Sequence, residues 1–133
     1  MSETDLATLI RSMSPHLAPD VFVFVTIPNG TAIPIDIEPV MFFYESEGVT
    51  AILPRDQALK AGLAASFPAR MITLRIASSL EAVGFLAAIT AALAKAGIAV
   101  NPVSAFHHDH LFVPEGRAGE AMTILHAMAG TGL

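Results

Sequence analysis

Cysteine is absent from the 133 residues, and lysine and arginine together number only seven. Without cysteine there is no disulfide framework, no thiolate zinc site and no cysteine nucleophile, which suits a cytoplasmic protein and leaves histidine and carboxylate as the metal ligands. Twelve acidic residues against those scattered basic ones give a formal charge of -5. That balance argues against nucleic acid and against an anionic membrane surface, both of which are held by clustered Lys and Arg. A long hydrophobic run is also lacking: Val83 to Ala94 is too short to span a bilayer, is rich in alanine and is closed by Lys95. The acidic start Met1-Ser-Glu-Thr-Asp-Leu does not resemble a signal peptide. A soluble chain is expected, and 53 % hydrophobic with 14 % charged residues is enough apolar material for one ordinary domain or two very small ones.

The spacing of Ser2 and Asp5, followed by Leu6, Leu9, Ile10 and Met13, predicts a short amphipathic helix that ends at Ser14-Pro15 and Ala18-Pro19. Val21 to Ile27 reads as a strand covered on both faces. Ile33, Ile35 and Ile37 alternate like an edge strand beyond the Pro28-Asn29-Gly30 turn, and Glu45 to Gly48 joins two further strands as a hairpin. Pro54 to Ala61 is a short helix stopped by Gly62. Ala64 to Arg70, small-residue and without periodicity, is the expected boundary between domains at 1–64 and 65–133.

The second half is the better punctuated. Ile72, Leu74 and Ile76 alternate with Thr73 and Arg75 in a strand. Ser78 and Glu81 have capping-box spacing before a helix whose inward face is expected to be Val83, Leu86, Ala87, Thr90 and Leu93, with Gly97 as its stop. A strand from Ile98 to Phe106, a His107-His-Asp-His110 turn and the strand Leu111 to Pro114 follow. A last helix covers Ala118 to Met128, with Ala121, Ile124, Leu125 and Met128 inward. No closing strand comes after it; Val21 to Ile27 is the expected replacement. Ala51-Ile-Leu-Pro54 before one helix echoes Leu111-Phe-Val-Pro114 before another, a sign of two related α/β units.

The strand-to-helix turn at Ser78 and Ser79 presents backbone N–H groups and a positive helix end that attract a carboxylate or phosphate. Gly84 permits close approach of a ligand or backbone, and Asn101 beside Pro102 implies an edge or bulge with unpaired ladder groups. On these residues alone the simpler reading is that the serines are caps, Gly84 is packing and Asn101 fastens a loop.

Gly84-Phe-Leu-Ala87, Ala96-Gly97-Ile98, Ala99-Val100-Asn101 and Val103-Ser104 resemble the regulatory ACT domain of aspartate kinases. Through Ser78 to Gly84 and Asn101 to Pro114 the chain is similar to a family of small, uncharacterised tandem ACT-domain proteins. The resemblance implies an α+β fold of tandem ferredoxin-like βαββαβ units, antiparallel sheets with helices on one face, and a non-catalytic regulatory or sensor role. It implies a small effector, commonly an amino acid, held at the interface between paired ACT domains. The matching positions are Ser78, Ser79, Val83, Gly84, Phe85 and Leu86 at the loop and first helical turn, with Val100, Asn101 and Ser104 on the strand. Aspartate kinases usually carry Asp where this chain has Asn101, so an ammonium group is held less strongly at that position. No cofactor is implied.

Two other classes stay open. One is an interaction module that forms a homodimer without ligand. The other is a metal-dependent enzyme built on His107 to His110, for which His108 and His110 share one face of an extended strand, too few ligands to complete a site. No P-loop or G-x-S-x-G setting accompanies them.

Overall fold

Asp5 opens the first helix, α1 (Leu6–Ser12), by accepting hydrogen bonds from the Thr8 amide at 3.0 Å and the Thr8 hydroxyl at 2.7 Å. The structure, a computed structural model, describes residues 5–76 and 80–131. Ser2, the other residue of the expected cap, therefore lies outside the described residues. After α1 the chain goes directly into a 14-residue strand, β1 (Ser14–Ile27), through both Pro15 and Pro19. The expectation of a break there is corrected. Residues Phe22 to Ile27 pair with a second strand, but Ser14 to Ala18 have no such partner on that side, and at a sheet edge a proline sacrifices no ladder bond.

The next elements are β2 (Met41–Glu45), β3 (Gly48–Pro54), α2 (Arg55–Lys60), β4 (Ser66–Arg75), α3 (Phe85–Lys95), β5 (Asn101–Ser104), β6 (Asp109–Pro114) and α4 (Ala118–Thr131), the last preceded by a 3-10 turn at Glu115–Arg117. They form two compact units, Met1–Ala18 with Arg70–Leu133, and Pro19–Ala69. Both β1 and β4 run through the division, so each unit receives part of each.

In the unit of residues 19–69 the strand order is β2-β3-β1-β4. β3 lies antiparallel to β1, with Phe22 opposite Pro54 and Ile27 opposite Val49, and antiparallel to β2, with Met41 opposite Ile52 and Glu45 opposite Gly48. Gly48 is required at the hairpin: its φ is +143°, and a Cβ there would stand 2.6 Å from the Ile27 carbonyl oxygen. Val23, Val25, Ile27, Ala51 and Leu53 bury one sheet face with Ala58 of α2 and Ile37. The alternating stretch Ile33 to Ile37 is not a strand but irregular, with a turn at Ile35 and Asp36; Ile35 is fully exposed while Ile37 is buried. Pro34 and Pro39 deny it a ladder, and Gln57 fastens it by accepting from the Glu38 amide at 2.7 Å.

In the unit of residues 1–18 and 70–133 the order is β1-β4-β6-β5. Counted from β4 and ending with the borrowed start of β1, that is fourth, first, third, second; the other unit, counted from β1, has the same order read from its opposite edge. This is the ferredoxin-like arrangement, and α+β is the fold class. The closing strand is Ser14 to Ala18, not Val21 to Ile27 as expected, and Arg70 clamps it by donating to the Ala18 carbonyl from Nε at 3.1 Å and Nη2 at 2.8 Å. Leu9 and Ile10 of α1, Phe85, Ile89 and Leu93 of α3, and Ala121 and Leu125 of α4 all pack with Ile72, Leu74, Leu111 and Val113, so the helices share one sheet face. Each fully buried large apolar side chain there contributes about 1.5–3 kcal/mol relative to exposure.

Two further expectations change. The helix expected from Ser78 begins at Phe85, which moves its inward face from Val83, Leu86, Ala87, Thr90 and Leu93 to Phe85, Ile89 and Leu93. The aperiodic stretch Ala64 to Arg70 contains the first half of β4, where Phe67 has a φ of 54° before Pro68 and so hides the strand period. The Pro54 and Pro114 echo is real in the backbone: each caps the helical segment that follows, with φ and ψ of -57° and 139° at Pro54 and -53° and 138° at Pro114.

Candidate functional site

Helix α3 starts at Gly84, whose φ of 90° suits glycine and whose carbonyl accepts from the Ala88 amide at 2.9 Å. Among the described residues no side chain caps that first turn, and its outward N–H groups carry the partial positive charge of a helix start. Phe85 points into the core, Leu86 is half-buried, and Val83, just before the helix, is 85 % exposed.

Opposite this turn lies the β5–β6 hairpin. Asn101 pairs with Phe112 and Ser104 with Asp109, leaving Ala105 to His108 as the connection, closed by the Ala105 amide on the His108 carbonyl at 3.0 Å. β5 is the outermost strand, which explains how Pro102 is accommodated. Between hairpin and helix is a cavity of about 190 Å³. Leu80, Ala82, Phe85 and Leu86 form one wall; Ser104, Ala105, Phe106 and Asp109 form the other. The Ser104 hydroxyl donates to Asp109 Oδ1 at 2.6 Å.

Of the residues expected from the sequence, Phe85, Leu86 and Ser104 are brought together at this cavity. Gly84 sets the helix start beside it, Val100 packs on the core, and Asn101 is exposed on the edge strand. Ser78 and Ser79 lie outside the described residues. Sequence reasoning missed Asp109, which it placed in a polar turn. The available signal was a serine and an aspartate flanking a four-residue connection, positions that face each other when the strands pair.

His107 to His110 divide differently. His110 lies in β6, and its Nδ1 is 2.9 Å from the hydroxyl of Thr73 in β4, which is 8 % exposed. Burial pushes the His110 imidazole below its ordinary value, the neighbouring His108 acts in the same direction, and the Asp109 carboxylate opposes them. His108 Nδ1 is buried without a hydrogen-bond partner among the described residues. The two rings stand with centroids 6.4 Å apart at 84°. Among the described residues no three histidine or carboxylate side chains converge on a position that could hold a metal ion. Nor is any described helix long and apolar enough to cross a membrane.

Two ACT-domain family models match in tandem, over residues 1–70 and 66–127. A Vibrio cholerae protein of unknown function, described as a possible transport protein, is 38 % identical; the match covers 93 % of this chain and 95 % of that one, with a TM-score of 0.84. An Agrobacterium tumefaciens protein is similar at 15 % identity over 88 % of this chain and 89 % of its own, TM-score 0.75. The regulatory subunit of aspartate kinase from Thermus thermophilus, in its ligand-free form, is similar at 14 % identity over 90 % and 97 %, TM-score 0.66. The last two likenesses are of fold alone. No curated protein matches the chain.

Proposed function

The chain belongs to the ACT-domain family, and we propose on that footing that it is a non-catalytic sensor whose effector is an amino acid, bound at an ACT–ACT interface. A regulatory, small-molecule-binding role is general to the family. The observation that supports a small effector is the cavity between the α3 start and the β5–β6 hairpin, lined by Phe85, Leu86 and Ser104 within one unit. A helix start suits a carboxylate, and apolar walls suit a side chain. We keep Ser78, Ser79, Val83, Gly84, Val100 and Asn101 as further contacts of the bound effector. The two sequence domains, 1–64 and 65–133, are supported by the tandem matches. No cofactor is proposed, and the absence of cysteine supports a cytoplasmic location.

The test is a thermal-shift panel of the twenty amino acids and common anions. A specific effector raises the midpoint by mass action, RT ln(1 + [L]/Kd), whereas a panel without effect at millimolar levels removes the sensor reading.

One observation favours a second reading, an interaction module. β2 is the outermost strand of its unit and exposes Phe43 (63 %) and Tyr44 (76 %). An apolar edge of that kind suits strand addition by a second copy. Concentration-dependent dimerisation with no ligand response would select it.

A further inference from the structure

We infer that Asp109 is the ammonium-binding group of the α3–β5 cavity, and that the ligand class is a small amine with a compact branched apolar body. The inference rests on the effector reading above and narrows it. Asp109 carries the one charge among the described side chains that line the cavity; the rest of the wall is Leu80, Phe85, Leu86 and Phe106 with small residues between. Its Oδ1 accepts from the Ser104 hydroxyl at 2.6 Å, which orients that oxygen. Ser104 and Asp109 are directly opposite in the β5–β6 register, so backbone pairing as well as the hydrogen bond holds this geometry. Among the described residues no cationic side chain stands against that carboxylate. A hydroxyl partner does not neutralise the charge, and a carboxylate beside apolar surface gains most from a partner that brings a positive charge and several N–H donors. A primary ammonium does both.

Size and lining narrow the rest. At about 190 Å³ the cavity is smaller than the roughly 300–1,000 Å³ of ordinary drug-sized sites, which favours a ligand of amino-acid size. Leu80 and Phe106 are exposed by 66 % and 74 %, apolar surface that a branched aliphatic group would cover. Leucine, isoleucine and valine meet these requirements; acidic and strongly hydrophilic amino acids do not.

The experiment measures binding of L-leucine, 3-methylbutylamine and 4-methylpentanoate to the full chain by calorimetry, then repeats it with Asp109→Asn and Ser104→Ala. Leucine and the amine should bind and the des-amino acid should not. Asp109→Asn, nearly the same shape, should weaken leucine by about tenfold to a hundredfold, the loss expected of a charge-assisted hydrogen bond. Ser104→Ala should weaken it less. Equal binding of 4-methylpentanoate and leucine overturns the inference without any variant, as does an Asp109→Asn protein that binds leucine like the wild type. If the wild type binds an amino acid outside the branched aliphatic class, the class assignment fails while the effector reading stands. If it binds none of the twenty, both fall.

Discussion

Replacing Thr73 by valine isolates what His110 is for. The two side chains approach within 2.9 Å, and Thr73 is almost fully enclosed at 8 % exposure. Valine keeps the branched shape and removes only the hydroxyl, so the ring nitrogen loses its partner without a cavity being made. Stranding a half-buried polar atom costs about 1–2 kcal/mol, which lowers the melting midpoint of a chain this size by roughly 3–10 °C. The sign of the pH effect follows from burial. The folded-state pKa of His110 is lowered from 6.5, so the unfolded chain takes up a proton first. The stability associated with a neutral His110 is intact above about 6.5 and falls as the pH drops from there through the folded value. Denaturant melts between pH 5 and 8 on wild type and His110→Leu should diverge in that window, the wild type losing more on acidification. Proton NMR of the ring should titrate with a midpoint below 6.5. A midpoint at or above that value, or a Thr73→Val protein as stable as the parent, would refute the account of His110 as a buried, hydrogen-bonded structural residue.

Gly48→Ala should destabilise by at least about 2 kcal/mol, because the added carbon meets the Ile27 carbonyl at 2.6 Å in a left-handed backbone; an unchanged denaturation midpoint would contradict the hairpin geometry. Arg70→Leu removes two donors from the Ala18 carbonyl, and hydrogen exchange should then accelerate at Ser14 to Ala18 ahead of Phe22 to Ile27, with a cost of about 1–2 kcal/mol. Equal exchange in both segments would show that Arg70 does not hold the returning strand.

Much of the fold was legible where local chemistry and tertiary structure agree. The Glu45 to Gly48 turn, the proline starts at 54 and 114 and the inward face of α4 all follow from spacing, because each is decided by neighbours in sequence. The misses occur where a local signal was outweighed. Pro15 and Pro19 are strand breakers in isolation, yet they lie where β1 has lost its β3 partner and needs no second ladder. Ser78 and Glu81 have the separation of a capping box, but the positive φ of Gly84 sets the start of α3. Asp109 was missed as a cavity residue for a different reason. Its importance comes from standing opposite Ser104, and a cross-strand partner depends on the length of the intervening connection.

The candidate site is assembled from nearer sequence neighbours than the unit around it. Closing the sheet of residues 1–18 and 70–133 requires Ala18 to find Arg70, 52 positions away, a contact bought with a long loop closure. The cavity requires none of that. Its walls all lie between Leu80 and Asp109, joined by one helix, the outermost strand and a short hairpin. In the order β1-β4-β6-β5 the returning strand is at one edge and the cavity at the other, so loss of Ser14 to Ala18 leaves the Ser104–Asp109 pair with its own ladder intact. Binding strength at Asp109 is therefore governed by the hairpin register. The Arg70 clamp acts at the opposite edge of the sheet on the returning strand, so measurements of binding and of strand closure need not move together.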